Sequence, residues 1–213
     1  MPLQAGIVPV TLFQQNCTLV WDDASKRGAV VDPGGDLDRI EAGISKAGMT
    51  VEKILLTHGH VDHAAGAAEL KERLGGIPIE GPHRDDEFLL DSLEESAAAF
   101  GMAGARNVTP DRWLAEGDTV TVAGATFAIL HCPGHSPGSV AYVNAAQRFA
   151  LVGDVLFRGS IGRTEGLPRT DHDTLIRSIW EKLLPLGDDY AFICGHGPTS
   201  TIGEERRTNP FLA

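Results

Sequence analysis

The stretch ILLTHGHVDHAAGAAEL, residues 54–70, constrains the fold more than any other part of the chain. An apolar run at 54–57 stops at a turn carrying His58, His60, Asp62 and His63, and an alanine-rich segment with helical character follows at 64–74. Strand, short polar turn and helix in that order make the repeating unit of an α/β protein, whose ligands gather at the carboxyl ends of strands. Three of the chain's eight histidines fall within six positions. A polar turn with incidental histidines is the plain alternative. Metal binding explains the crowding better, with Gly59 expected to let the backbone turn so that His58 and His60 converge.

Four donors from one turn are too many for one catalytic ion, which keeps about three protein ligands and an open position. Either some of them act as supporting groups, or two ions share the turn and other strand ends supply further ligands. Three candidates fit that demand. His135 follows the apolar run 126–130 in LHCPGHSPGS, Asp154 follows 149–152 in ALVGDVLF, and His196 ends AFICGH. Five imidazoles and two carboxylates divide into one ion with three histidines and one with two histidines plus Asp62. Asp154 is then the natural bridge, because a carboxylate has two oxygens. Ions about 3.5–4 Å apart could share a hydroxide.

The rest of the chain supports an α/β reading. Strand-like runs lie at 17–21, 29–31, 53–57, 119–122, 126–130, 139–143, 149–152 and 191–194, several of them continuously apolar, as in strands covered on both faces. Leu37, Ile40, Ile44 and Ala47 form one helical stripe ending at Gly48. Leu175, Ile176, Ile179, Trp180, Leu183 and Leu184 form another, after Thr170 and Asp171 and before Pro185. A partly helical region at 83–100 should turn Phe88, Leu89 and Leu93 inward, and a hairpin is expected around Gly124. No composition shift divides the chain, so 1–213 reads as a single domain.

Composition removes several classes. A net charge of −11 argues against nucleic acid as a partner, because phosphate binding needs a positive surface. No apolar window of membrane-spanning length occurs, and the amino terminus lacks the pattern of a signal peptide. Cys17, Cys132 and Cys194 are far apart and never in a C-x-x-C pair, which suggests a reducing, cytoplasmic setting with packed thiols.

The order THGHVDH, PGHSPG, GD, GHGP resembles the metallo-β-lactamase superfamily. With VDPGGD, GDVLFRGSIGRT, KLLPLGDD and NPFL, it is similar in particular to a short bacterial glyoxalase-II-like subgroup, the hydroxyacylglutathione hydrolases, over nearly the whole chain. The resemblance implies an αββα sandwich with His58, His60 and His135 on one metal, Asp62, His63 and His196 on a second, and Asp154 bridging. It implies a supporting role for Asp32 and similar ones for Thr57 and His131; His83 and His172 match nothing and read as surface or capping residues. Arg163 stands where the family often has a basic residue for glutathione. The carboxy-terminal helical extension of longer glyoxalase II proteins is expected to be missing, and Thr164 and Gly197 stand where the family has aromatic residues.

The chemistry follows from the donors. A metal-bound water is available as hydroxide near pH 7, and the same ions stabilise an oxyanion. No extra general acid is evident, so a leaving thiolate suits the site better than an amine. The expected activity is hydrolysis of a small-molecule thioester, glutathione-linked as in S-lactoylglutathione, on two divalent ions. Zinc is expected, with iron or manganese as alternatives, and Asp62 would deprotonate the bridging water. The rival is a mononuclear iron persulfide dioxygenase using His58, His135 and Asp154, and a lactonase or other ester hydrolase is a lesser alternative.

Overall fold

The computed structural model describes residues 3–212; Met1, Pro2 and Ala213, the outermost positions of the expected domain, lie outside the described residues. The first sheet holds β1 (Leu3–Val10), β2 (Gln15–Asp22), β3 (Arg27–Val31), β4 (Thr50–Leu55) and β5 (Ile79–Glu80) in that spatial order. Between these strands run α1 (Leu37–Ala47), α2 (Val61–Ala64) and α3 (Ala67–Arg73), and α4 (Glu87–Leu90) and α5 (Leu93–Ala99) follow β5. The second sheet contains β6 (Thr119–Val122), β7 (Ala125–His131), β8 (Val140–Asn144) and β9 (Phe149–Leu151). A small hairpin, β10 (Leu156–Phe157) and β11 (Ser160–Ile161), precedes α6 (His172–Ser178). Then β12 (Ala191–Ile193) and β13 (Ser200–Thr201) complete the second sheet in the order β13-β12-β9-β8-β7-β6, before α7 (Ile202–Thr208).

Period-two alternation builds the layers. In β3 and β4, Ala29, Val31 and Leu55 face the second sheet, while Val30 and Ile54 pack with Leu37, Ile40 and Leu70 of the helices. In β8, Val140 and Tyr142 face the first sheet, and Ala141 and Val143 pack with Leu175, Ile179 and Leu183. Strands covered on both faces explain the continuous apolar runs. The result is the αββα sandwich, helix layer on sheet on sheet on helix layer, that the resemblance implied.

Local differences from the sequence expectations have physical causes. β1 was not anticipated: it is an edge strand, half exposed and interrupted by Gly6 and Pro9, so it carries no clear apolar pattern. The helix expected at 64–74 begins at Val61 and breaks at Ala65–Gly66. There the Gly66 N–H donates to Pro33 O at 3.0 Å, and a Cβ at Gly66 would stand 2.4 Å from that oxygen. Gly48 ends α1 at φ +64°, as expected, with Met49 N–H donating to Ile44 O. Ala123 and Gly124, both at positive φ, make the expected tight β6–β7 turn. Asp171 rather than Thr170 caps α6, which widens into a π-helical turn at Ile179–Leu183. Leu175, Ile179 and Leu183 are fully buried, but Trp180 lies one position off that stripe and is 47% exposed. Phe88 is likewise only half-buried, and Leu90 takes the inward position instead.

The two sheets are stitched together at one edge. Val140 N–H donates to Thr57 O at 2.8 Å and Asn16 N–H to Gly195 O at 2.7 Å, while Gly195 N–H donates to Gly153 O at 2.9 Å between two loops of the second sheet. The buried Tyr142 hydroxyl donates to Leu56 O at 2.7 Å. These bonds fix the loops after β4, β7, β9 and β12 beside one another.

Candidate metal centre

Those loops carry the singled-out donors. His58 and His60 sit in the short turn after β4, and Asp62 and His63 are in the first turn of α2. His135 lies between β7 and β8, Asp154 after β9, and His196 after β12. The structure brings all seven together. Ligand atoms of His58, His60 and His135 lie within 4.8 Å of one another, and so do those of Asp62, His63 and His196. Asp154 stands between the trios, with Oδ2 3.5 Å from both His135 Nε2 and His196 Nε2, and Oδ1 3.4 Å from His63 Nε2.

Hydrogen bonds on the far side of the rings orient them. Asp32 accepts from Thr57 N–H at 2.7 Å and from the Thr57 hydroxyl at 2.6 Å. Since the hydroxyl proton goes to Asp32, Thr57 Oγ1 accepts the His58 Nδ1 proton at 3.0 Å. Asp32 Oδ2 also takes the His63 Nδ1 proton at 2.9 Å. His135 Nδ1 donates to Arg163 O at 2.8 Å, and His196 Nδ1 to Phe13 O at 3.3 Å. Each of these four imidazoles therefore turns its Nε2 edge toward the others, the arrangement that second-sphere partners impose on metal ligands. His60 differs, facing His135 Nε2 with its Nδ1 at 2.9 Å.

A divalent cation fits this donor set. His58 Nε2, His63 Nε2 and Asp154 Oδ1 are buried and have no hydrogen-bond partner, and a buried polar atom left so costs about 1–3 kcal/mol. Electrostatics point the same way. Burial, then the neighbouring imidazoles, pushes His58 well below its ordinary pKa; burial brings His60 down to about 3 and also lowers His135. Neutral imidazole is the ligating form. For His63 burial opposes charge, but Asp154 and Asp62 outweigh it and hold the pKa well above 6.5; His196 is raised by Asp62 and Asp154 against the same burial penalty. The histidines overcome burial in turn at Asp154 and Asp62, whose pKa values are lowered. Negative charge concentrated on the buried Asp154 and the partly buried Asp62 is what a cation compensates.

Gly59 has a different role from the expected one. Its φ is not positive; instead a Cβ there would meet Leu89 Cβ at 2.8 Å and Asp86 O at 3.2 Å. Close packing, not turn geometry, requires the glycine. Gly195 is tighter still, since a Cβ would fall 2.0 Å from Asp154 Oδ1.

Sequence reasoning missed Asp86. Fully buried, it accepts from Gly59 N–H and the Ser136 hydroxyl, both at 2.8 Å, and from Gly138 N–H at 2.6 Å. One carboxylate thus ties the His58–His60 turn to the His135 loop. A signal was present: Asp86, Leu89, Leu90, Leu93 and Ala97 follow helical spacing, which puts an acid on an apolar stripe. Burial raises its pKa to about 6 against those three hydrogen bonds.

The remaining candidates are peripheral. Arg163 is exposed and meets the centre through its carbonyl. His131 Nε2 donates to Pro137 O at 2.8 Å and stacks on His83, whose Nδ1 caps the 3-10 turn Arg84–Asp86 by accepting from Asp85 N–H. His172 starts α6 at the surface. Burial is the main cause that raises all three thiols, Cys132 to about 12 and Cys194 to about 11, so none is a thiolate nucleophile at neutral pH.

Comparisons with known proteins fall on the same segments. The sequence profile of the family described as "Metallo-beta-lactamase superfamily" matches residues 10–196. A Haemophilus influenzae protein named "Hydroxyacylglutathione hydrolase GloC" is 48% identical over 97% of this chain and 96% of its own. Among solved structures, the BLEG-1 B3 metallo-beta-lactamase superposes with TM-score 0.89 at 34% identity, covering 98% of this chain and 99% of that one. TTHA1623 in a di-iron-bound form gives TM-score 0.85 at 37% identity, covering 97% and 100%.

Proposed function

The chain belongs to the metallo-β-lactamase superfamily and is a glyoxalase II-like metallo-hydrolase, and from that premise we propose that it hydrolyses hydroxyacylglutathione thioesters such as S-lactoylglutathione. One observation carries the reading: two trios of donors face a single carboxylate, Asp154, from either side. His58, His60 and His135 would hold one divalent ion, Asp62, His63 and His196 another, and Asp154 would touch both. When bound, such ions lower the pKa of water from 15.7 to about 7 and polarise a carbonyl oxygen.

The chain's own groups do the rest. Asp62, 3.2 Å from His196 Nε2, orients the attacking water and accepts its proton. Asp32 and Thr57 hold His58 and His63 in the ligating tautomer, and Arg163 O does the same for His135. All five imidazoles face the donor cluster, so protonation of a leaving amine would fall to Asp62 after it has taken the proton of the water. A thiolate, with a parent pKa of about 8.5, departs without such help. The relative named as a hydroxyacylglutathione hydrolase supports this substrate class.

Zinc is the proposed metal, with iron or manganese able to take the same imidazole and carboxylate donors. The rival persulfide dioxygenase would use His58, His135 and Asp154 alone, leaving His60, Asp62, His63 and His196 outside its iron site. We read 1–213 as one domain, because three contiguous apolar clusters run through all four layers. Among the described residues no helix is long and apolar enough to cross a membrane, and the three cysteines are free and buried, which fits the reducing cytoplasm.

Metal-loaded protein should release thiol from S-lactoylglutathione under anaerobic conditions. Asp154→Ala should lose bound metal and lower turnover by more than about a hundredfold. Wild-type-like hydrolysis in that variant would sink the site assignment, and oxygen uptake with glutathione persulfide would select the rival.

A further inference from the structure

Outside the hydrolytic centre, one more group of side chains brings ligand atoms together. His83, Asp85 and His131 each offer an atom within 4.8 Å of the other two, a closeness that among the described residues recurs only in the centre and its Asp32 support. The proposed hydrolysis uses none of the three. His83 follows β5 of the first sheet, His131 ends β7 of the second, and Asp85 lies in the 3-10 turn that His83 caps.

Each of them has an atom to give. His131 Nε2 donates to Pro137 O at 2.8 Å, and because a carbonyl only accepts, the lone pair of the neutral ring is on Nδ1. His135 is oriented in the same way, one ring N–H on a backbone carbonyl and the other nitrogen left to ligate. Burial, with His83 and Lys182 nearby, lowers the His131 pKa and keeps that ring in its neutral, ligating form. His83 Nδ1 accepts from Asp85 N–H over a long 3.2 Å and stands 3.3 Å from Asp85 Oδ2. Two atoms that share a tetrahedral ion at about 2.0–2.1 Å lie about 3.3–3.4 Å apart. The Asp85 carboxylate is paired with His83 alone, since Arg84 turns to Glu87 and lies over the Trp113 ring. Lys182, whose charge bears on His131, is held by Glu116 at 2.6 Å.

The two rings lie face to face, their centroids 4.1 Å apart and their planes 19° from parallel. Parallel rings aim their lone pairs side by side, so an ion shared by both requires one ring to turn. Pro137 O holds His131. His83, tied by the longer bond to Asp85 N–H, is the ring that moves, and the ion takes over the contact it gives up.

We propose that His83, Asp85 and His131 form a further divalent-cation site, separate from the hydrolytic centre, that takes zinc or copper in preference to magnesium or calcium. Two imidazoles and one carboxylate suit late first-row ions, whereas hard ions favour all-oxygen sets. Three protein ligands leave a remaining position to water. The site spans the sheets. His83 N–H donates to Gly138 O at 3.0 Å and His131 Nε2 to Pro137 O, so both residues are fastened to the loop that carries His135. An ion there braces that loop from outside the centre and contributes to stability without meeting substrate.

Equilibrium dialysis of the full chain against zinc, followed by metal analysis, tests the site. His83→Gln should hold about one zinc per chain fewer than the wild type, and Asp85→Asn should release that ion at higher free zinc than the wild type does. The readout is a difference between proteins, so it does not depend on how many ions the hydrolytic centre takes up. In an Asp154→Ala background, where the centre is expected to lose its metal, His83→Gln should still remove about one zinc. His172→Gln, which deletes a surface histidine at the start of α6, should match the wild type. In the wild type itself, zinc should shift the imidazole proton resonances of His83 and His131 together, and magnesium should not. Equal zinc content in the wild type and His83→Gln, an equal loss in His172→Gln, or His83 and His131 resonances that zinc leaves unmoved would each overturn the assignment.

Discussion

Asp32 and Asp86 divide the work of holding the donors in place, and neither is one of them. Asp32 reaches His58 through Thr57 and His63 directly, so one carboxylate sets the tautomer of a ring in each trio. Asp86 acts on backbone instead, pinning Gly59 and Gly138 so that the two loops keep their spacing. Asp86→Ala would leave two buried N–H groups and the Ser136 hydroxyl without this acceptor. It should cost about 3 kcal/mol of stability and weaken metal affinity about tenfold or more. Chemical denaturation and a competitive metal titration measure the two effects; an unchanged affinity would mean that the clamp is structural only.

At the scale of elements, the ends of helices and strands matter more than their middles. α7 and the tail behind it lock the β10–β11 hairpin: buried Glu205 accepts from Gly159 N–H at 2.7 Å and from the Asn209 amide at 2.9 Å, and Asn209 donates to Ser160 O at 3.0 Å. That hairpin carries Phe157, whose ring lies edge-on to His196 at 6.1 Å. Glu205→Ala should therefore lower stability by about 2–4 kcal/mol and reduce kcat as well, with the first read from the urea midpoint and the second from thiol release. Asp171→Ala removes only the cap bond to Thr174 N–H and should cost about 1 kcal/mol, read as a shift in the same midpoint. A loss as large as that of Glu205→Ala would show that Asp171 does more than cap α6.

For the whole molecule, the donors tie four loops from two sheets into one cluster, so metal binding is expected to stabilise the fold as well as enable chemistry. At a free metal concentration about a hundred times Kd, linkage contributes about 2.7 kcal/mol per site. Chelation should therefore lower Tm by roughly 5–10 °C per ion in a domain of this size, and reloading should restore it. A Tm indifferent to chelator would contradict a centre that joins the sheets. The apolar clusters on either side of each sheet remain intact in that experiment, so loss of metal should lower Tm without unfolding the chain at ambient temperature.

Much of this was legible in the residues, for a local reason. His58, His60, Asp62 and His63 stand beside an apolar run, as do His135, Asp154 and His196, and a strand that ends in a polar turn announces itself over five or six positions. Gly48, Asp171 and the turn at Gly124 were readable on the same local terms. Other features depend on what lies across a gap in sequence. β1 is an edge strand whose partner supplies its order, Trp180 turns outward through helix geometry, and Gly59 is required by Leu89, thirty residues away in sequence. The part played by Asp86 depends on the second sheet, which places Ser136 and Gly138 against it. The sequence by itself pointed to the donor set and the alternation of strands and helices, because both follow from short-range pattern, while the αββα order of layers was what the family resemblance implied. Only the tertiary structure decided what clamps the donor loops and why Gly59 must be a glycine, because each depends on packing between segments far apart in the chain.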